Sequence, residues 1–63
     1  MDHRALTGRD LAAERVRRSL RQADVAAELG VSRERVRTME GGRRPSELVV
    51  TRYLAALERL DAR

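Results

Sequence analysis

Cysteine, lysine, phenylalanine and tryptophan are all missing from this 63-residue sequence, and tyrosine, histidine and proline occur once each, as Tyr53, His3 and Pro45. Without cysteine there is no disulfide, no thiolate metal site and no thiol nucleophile. A lone histidine close to the N-terminus cannot build a metal cluster or a supported catalytic triad. Neither a glycine-rich phosphate loop nor a nucleophile–base set can be found, so the chain is expected not to be an enzyme and to need no cofactor or metal. No apolar run approaches the roughly 18–20 residues of a membrane span, and no apolar signal segment follows Met1. With a single aromatic residue, the core has to come from Leu, Val, Ala and two Met. A single domain of this size seldom gains more than about 3–5 kcal/mol from such a core, so a staple or a partner subunit is expected.

What is present is arginine. All 14 basic residues are arginine, against 10 acids, for a net charge of +4. Residues 31–45 hold five arginines against Glu34 and Glu40, a local balance of +3, whereas residues 46–63 balance to zero. A solvated helix face laced with i,i+4 pairs would also be rich in charge. Concentration of the positive field in one short stretch instead points to a polyanionic partner.

No internal repeat or linker divides the chain, and the pattern predicts one domain of four helices without strands. Residues 1–6 read as a loose arm. Thr7 can cap a first helix over about 7–18, with Leu11, Ala12, Arg15 and Val16 on its inner side. A tight connection at Ser19-Leu20 leads to a second helix over about 21–29, where Val25, Ala26 and Leu29 form a narrow apolar stripe. Gly30 follows the last periodic residue, where a left-handed conformation is easiest for glycine. Ser32 can cap a third helix over about 32–41 that ends at the Gly41-Gly42 pair. At 100° per residue, Val36 and Met39 point one way and Glu34, Arg37 and Thr38 the other, with Arg33 and Arg35 on the flanks. After the basic turn Arg43-Arg44-Pro45, Ser46 can cap a fourth helix over about 46–60, with Val50, Tyr53, Leu54, Leu57 and Leu60 at helical spacing.

From Gln22 to Gly41 the chain reads QADVAAELGVSRERVRTMEG. This resembles the bipartite helix-turn-helix of DNA-binding proteins at nearly every restricted position. Ala26 is small where the two helices cross, Gly30 relieves the turn, and Val25, Leu29, Val31, Val36 and Met39 seal the joint. More widely, residues 9–58 resemble the phage-repressor/Cro type, the XRE family, which implies a small all-α, lambda-repressor-like fold. Leu11 and Arg15 match that family's first-helix core residue and arginine, and Glu40 matches the acid that pairs with it, so the resemblance implies an Arg15–Glu40 ion pair. Glu40-Gly41-Gly42-Arg43-Arg44-Pro45-Ser46 is similar to the family's exit loop. Two departures stand out. Arg21 replaces the usual Ser or Thr cap, which either weakens the cap or moves it to Ser19, and the family's common fifth helix has no counterpart. Locally, VSRERVRTME is also similar to the recognition helix of sigma-factor region four.

Both resemblances imply that bases are met by Arg33, Glu34, Arg37 and Thr38. Arg33 and Arg37 can each present a two-pronged donor to guanine O6 and N7. Glu34 can accept from cytosine N4 or orient a neighbouring arginine, and Thr38 offers a hydroxyl and a methyl. Phosphate contacts are assigned to Arg21, Gln22, Ser32, Arg35, Arg43 and Arg44, with a solvated helix end as the alternative for Arg21 and plain solvent for Arg35, while Arg17 and Arg18 are read as a solvated face. The expected partner is double-stranded DNA with a palindromic operator, bound by a homodimer. Its surface would be Tyr53, Leu54, Leu57 and Leu60, unless those four simply cover the first helix. The expected function is a minimal transcriptional regulator, a repressor acting in the prokaryotic cytoplasm or a phage-infected host. Phage, restriction–modification and antitoxin contexts all fit. The alternative is a protein-interaction module that holds a toxin or RNA polymerase, with DNA binding secondary.

Overall fold

A computed structural model describes residues 6–63, which form α1 (Gly8–Arg17), α2 (Gln22–Leu29), α3 (Arg33–Gly41) and α4 (Glu47–Asp61). His3 and the remainder of the expected N-terminal arm lie outside the described residues. Among the described residues there is no strand, and no helix is long and apolar enough to cross a membrane.

Local chemistry accounts for each helix boundary. The Thr7 hydroxyl accepts from the Asp10 amide at 3.2 Å while the Asp10 carboxylate accepts from the Thr7 amide at 2.8 Å, a reciprocal capping box that opens α1. Between α1 and α2 the chain turns through Ser19 at φ 57°, a left-handed conformation that is uncommon outside glycine. The residue preceding α2 is Arg21, not Ser19. Its side chain offers no acceptor, and the Asp24 carboxylate takes the Arg21 amide at 2.8 Å in its place. That bond, with the Arg21 guanidinium beside it, holds the Asp24 carboxyl below its ordinary range. Gly30, at φ 71° and ψ 32°, ends α2 as a left-handed residue, and Val31 donates back to the Ala26 carbonyl at 3.0 Å. Ser32 and Ser46 cap α3 and α4, their hydroxyls accepting from the Arg35 and Val49 amides at 3.1 Å each.

The core gathers Leu6, Leu11, Val25, Ala26, Val36, Val50, Tyr53 and Leu57, with Leu20, Leu29, Val31, Met39, Leu54 and Leu60 packed around it. Three expectations need correction. Leu6 is buried and belongs to this core, so the arm cannot extend to residue 6. Val16 is 61% exposed. Five residues past Leu11, it sits about 140° around the helix and cannot share the inner face. Two of the four residues expected on a dimer surface are taken up within the chain, and the other two are partly covered. Tyr53 and Leu57 have no exposed area, and Leu54 and Leu60 pack on the core. With no Phe or Trp to fill space, the domain recruits the whole inner side of α4.

Two further features set the positions of the helices. Gly8 lies so close to the end of α3 that an added Cβ would come within 2.4 Å of the Met39 carbonyl oxygen, and its amide donates to the Gly42 carbonyl at 2.8 Å. The far end of α4 is tied to α2 by Glu28, which meets Arg59 and Arg63 at 2.7 Å each and whose carboxyl those arginines hold below its ordinary range.

Candidate nucleic-acid interface

α3 has two unlike sides. Val36 is fully buried and Met39 partly so, which pins the helix to α2 and the core. Every residue from Ser32 to Arg35, together with Arg37 and Thr38, is exposed. The outer side therefore presents Arg33, Glu34, Arg37 and Thr38 to solvent, flanked by Arg35. The Arg37 guanidinium stands 3.9 Å from Glu34, both side chains more than 70% exposed, a loose pairing that either can leave. The Thr38 hydroxyl donates to the Glu34 carbonyl at 3.0 Å, so toward a ligand it can accept a hydrogen bond and offer its methyl. The Ser32 oxygen is occupied as cap acceptor while its hydroxyl proton stays free to donate.

At the opposite end of α3, Glu40 organises the underside. Its carboxylate accepts from Arg15 Nε at 2.8 Å and Nη2 at 3.0 Å, from Gln22 Nε2 at 3.0 Å and from the Tyr53 hydroxyl at 2.5 Å. Arg15 Nη1 donates in addition to the Leu20 carbonyl at 2.9 Å. All four helices thus meet at one carboxylate. Burial pushes the Glu40 carboxyl up, and hydrogen bonds from Arg15, Gln22 and Tyr53 outweigh this and hold it below its ordinary value. Arg15 is pushed further up, chiefly by its hydrogen bond to Glu40. Burial, then the Glu40 carboxylate, raises the Tyr53 hydroxyl far above its usual range, so it stays a neutral donor. No buried side-chain polar atom among the described residues lacks a partner.

The remaining sequence candidates flank α3. Gln22, expected on a phosphate, has its amide nitrogen on Glu40 and lines a cleft of about 420 Å³ with Arg15, Arg21, Ala23 and Arg33. Arg21 is largely exposed and leans on Asp24 at 3.4 Å. Arg43 and Arg44 are exposed on the turn after α3. Arg18 lies against Glu14 at 2.9 Å, and Arg17 pairs with the same carboxylate. Tyr53 as a partner of Glu40 was not legible as such, because its spacing matched the apolar face of α4. The available signal was general: a buried tyrosine hydroxyl needs a partner.

A family model described as a helix-turn-helix domain matches residues 6–63. Searches of curated proteins and of solved structures found no match.

Proposed function

We propose, for a chain that belongs to the helix-turn-helix domain family, that it is a sequence-specific transcriptional regulator that inserts α3 into the major groove of double-stranded DNA. One observation carries this reading: the helix anchored by Val36 and Glu40 leaves Arg33, Glu34, Arg37 and Thr38 exposed together. A major groove about 12 Å wide admits such a helix. Arg33 and Arg37 would each read a guanine through paired donors, worth roughly 1–3 kcal/mol of discrimination per good contact. Glu34 opposes generic attraction to phosphate, and its place on the reading side favours selectivity over simple charge binding. Arg21, Ser32, Arg35, Arg43 and Arg44 would set register on the backbone.

Four reading side chains cover few base pairs, so useful selectivity calls for two copies on a palindrome, with half-sites about one turn (~34 Å) apart. Bound over a promoter in a prokaryotic cytoplasm, such a dimer would repress by occlusion. Selection from a random duplex pool tests this. Enrichment of G/C-containing, two-fold symmetric sites is the expected result. Recovery of no preferred sequence at moderate ionic strength would overturn it.

A further inference from the structure

Building on the duplex-binding function proposed above, we propose that Arg9 on α1 and Arg43 on the exit turn form a second grip on the DNA backbone, on the strand opposite the one met by Arg21 at the start of α2. Two clefts bracket α3. One, of about 420 Å³, opens beside the first residues of α2 and α3 and carries Arg21 and Arg33. The other, of about 480 Å³, lies at the far end of α3 and is lined by Thr7, Arg9, Glu40, Gly41, Gly42 and Arg43. Nine residues at about 1.5 Å each make α3 roughly 13 Å long, which matches the ~12 Å between the backbones bordering a major groove. The cationic clefts at the two ends of α3 thus stand about one groove width apart, which puts both backbones bordering the groove within reach of one domain.

The second cleft is suited to phosphate. Arg9 and Arg43 are both exposed at its rim. The carboxylates nearby are already engaged: Asp10 accepts from the Thr7 amide and hydroxyl, and Glu40 from Arg15, Gln22 and Tyr53. Gly41 and Gly42 add no side chain between a strand and the rim. The Gly8 amide bonded to the Gly42 carbonyl at 2.8 Å locks α1 to the exit turn, so the backbones carrying the two arginines are fixed relative to each other. The amides of Gly8 and Asp10 are used within the chain and offer nothing to a phosphate, whereas the two guanidinium groups face solvent. Local preference does not explain Arg9 either, because a cation in the first turn of a helix opposes its dipole.

The test compares the unmodified chain with Arg9→Ala, Arg9→Lys, Arg43→Ala and Arg21→Ala. Helicity measured by circular dichroism first establishes that each variant is folded. On a scrambled duplex, Arg9→Ala should lower the magnitude of the slope of log affinity against log salt by about 0.9 per bound chain, and Arg9→Lys should restore it. By phosphate-ethylation interference on the selected duplex, within each half-site Arg9→Ala and Arg43→Ala should lose contacts on one strand and Arg21→Ala on the other. A folded Arg9→Ala chain with unchanged slope, or loss within a half-site on the same strand as Arg21→Ala, would overturn the second grip while leaving the duplex function standing. Failure of the unmodified chain to bind any duplex would overturn both.

Discussion

Glu34 and Glu40 are carboxylates on the same helix, each with an arginine partner, and they differ in almost every physical respect. Glu34 and Arg37 stand 3.9 Å apart with side chains 82% and 75% exposed, whereas Glu40 and Arg15 meet at 2.8 and 3.0 Å with 7% and 14% exposed. An exposed pair of this kind contributes about 0–1 kcal/mol and exchanges partners freely. The enclosed pair is desolvated, hydrogen-bonded on both oxygens, and costly to break from one side. Charge used for binding has to stay as unsatisfied as that of Glu34 and Arg37. Charge used to hold α3 in place has to be as satisfied as that of Glu40.

The strongest way to break the contrast is Glu40→Ala, which leaves Arg15, Gln22 and Tyr53 without their shared acceptor. Unfolding in urea should show a loss of roughly 3–5 kcal/mol, a large part of what a domain this size has. Glu34→Ala, measured alongside, should stay within about 0.5 kcal/mol of the unmodified chain.

Gly8→Ala probes the same underside through the backbone. Its Cβ would overlap the Met39 and Glu40 carbonyls at 2.4 and 2.6 Å, and α1 would have to move away from α3. A loss of about 1–3 kcal/mol in the same urea experiment is expected.

On the outer side, Arg33→Ala or Arg37→Ala should leave the melting temperature nearly unchanged. Specific affinity, measured by fluorescence anisotropy, should fall by about 1–3 kcal/mol with relaxed preference at one base per half-site. A stability loss comparable to that of Glu40→Ala would erase the distinction between the two sides.

Acid sharpens the comparison with a smaller effect. The Glu40 carboxyl is held below its ordinary 4.5, so its contribution is complete above that pH and is lost as pH falls through the lower folded value. Asp24 and Glu28 are lowered too and add to the decline. The urea midpoint should therefore drop on acidification below 4.5, and less steeply in Glu40→Gln than in the unmodified chain.

Residues whose role depends on near neighbours could be read directly. Thr7, Ser32 and Ser46 sit at helix starts because a hydroxyl can take an amide three residues on, and Gly30 sits where φ must be positive. Val36 and the exposed row around it follow from the 100° period. The inner residues of α4 were recognisable as an apolar stripe, yet a stripe does not say what covers it. Their spacing favours a dimer surface for Tyr53 and Leu57, with cover for the first helix as the alternative. Leu6 was misplaced because it precedes α1, where no period assigns a face, and Val16 was misplaced although the same period sets it about 140° from Leu11.

Composition and local pattern were enough to establish four helices, three of them with a hydroxyl cap, a glycine-relieved turn between the second and third, and an arginine-rich side on the third, because these depend on interactions within about four residues. Which groups converge on Glu40 depends on contacts spanning 13 to 25 positions, Tyr53 among them, and the close approach of Gly8 to Met39 and Glu40 spans more than 30. Such contacts form only when all four helices pack together, since each partner lies on a different element and none can reach the carboxylate until the others are in place.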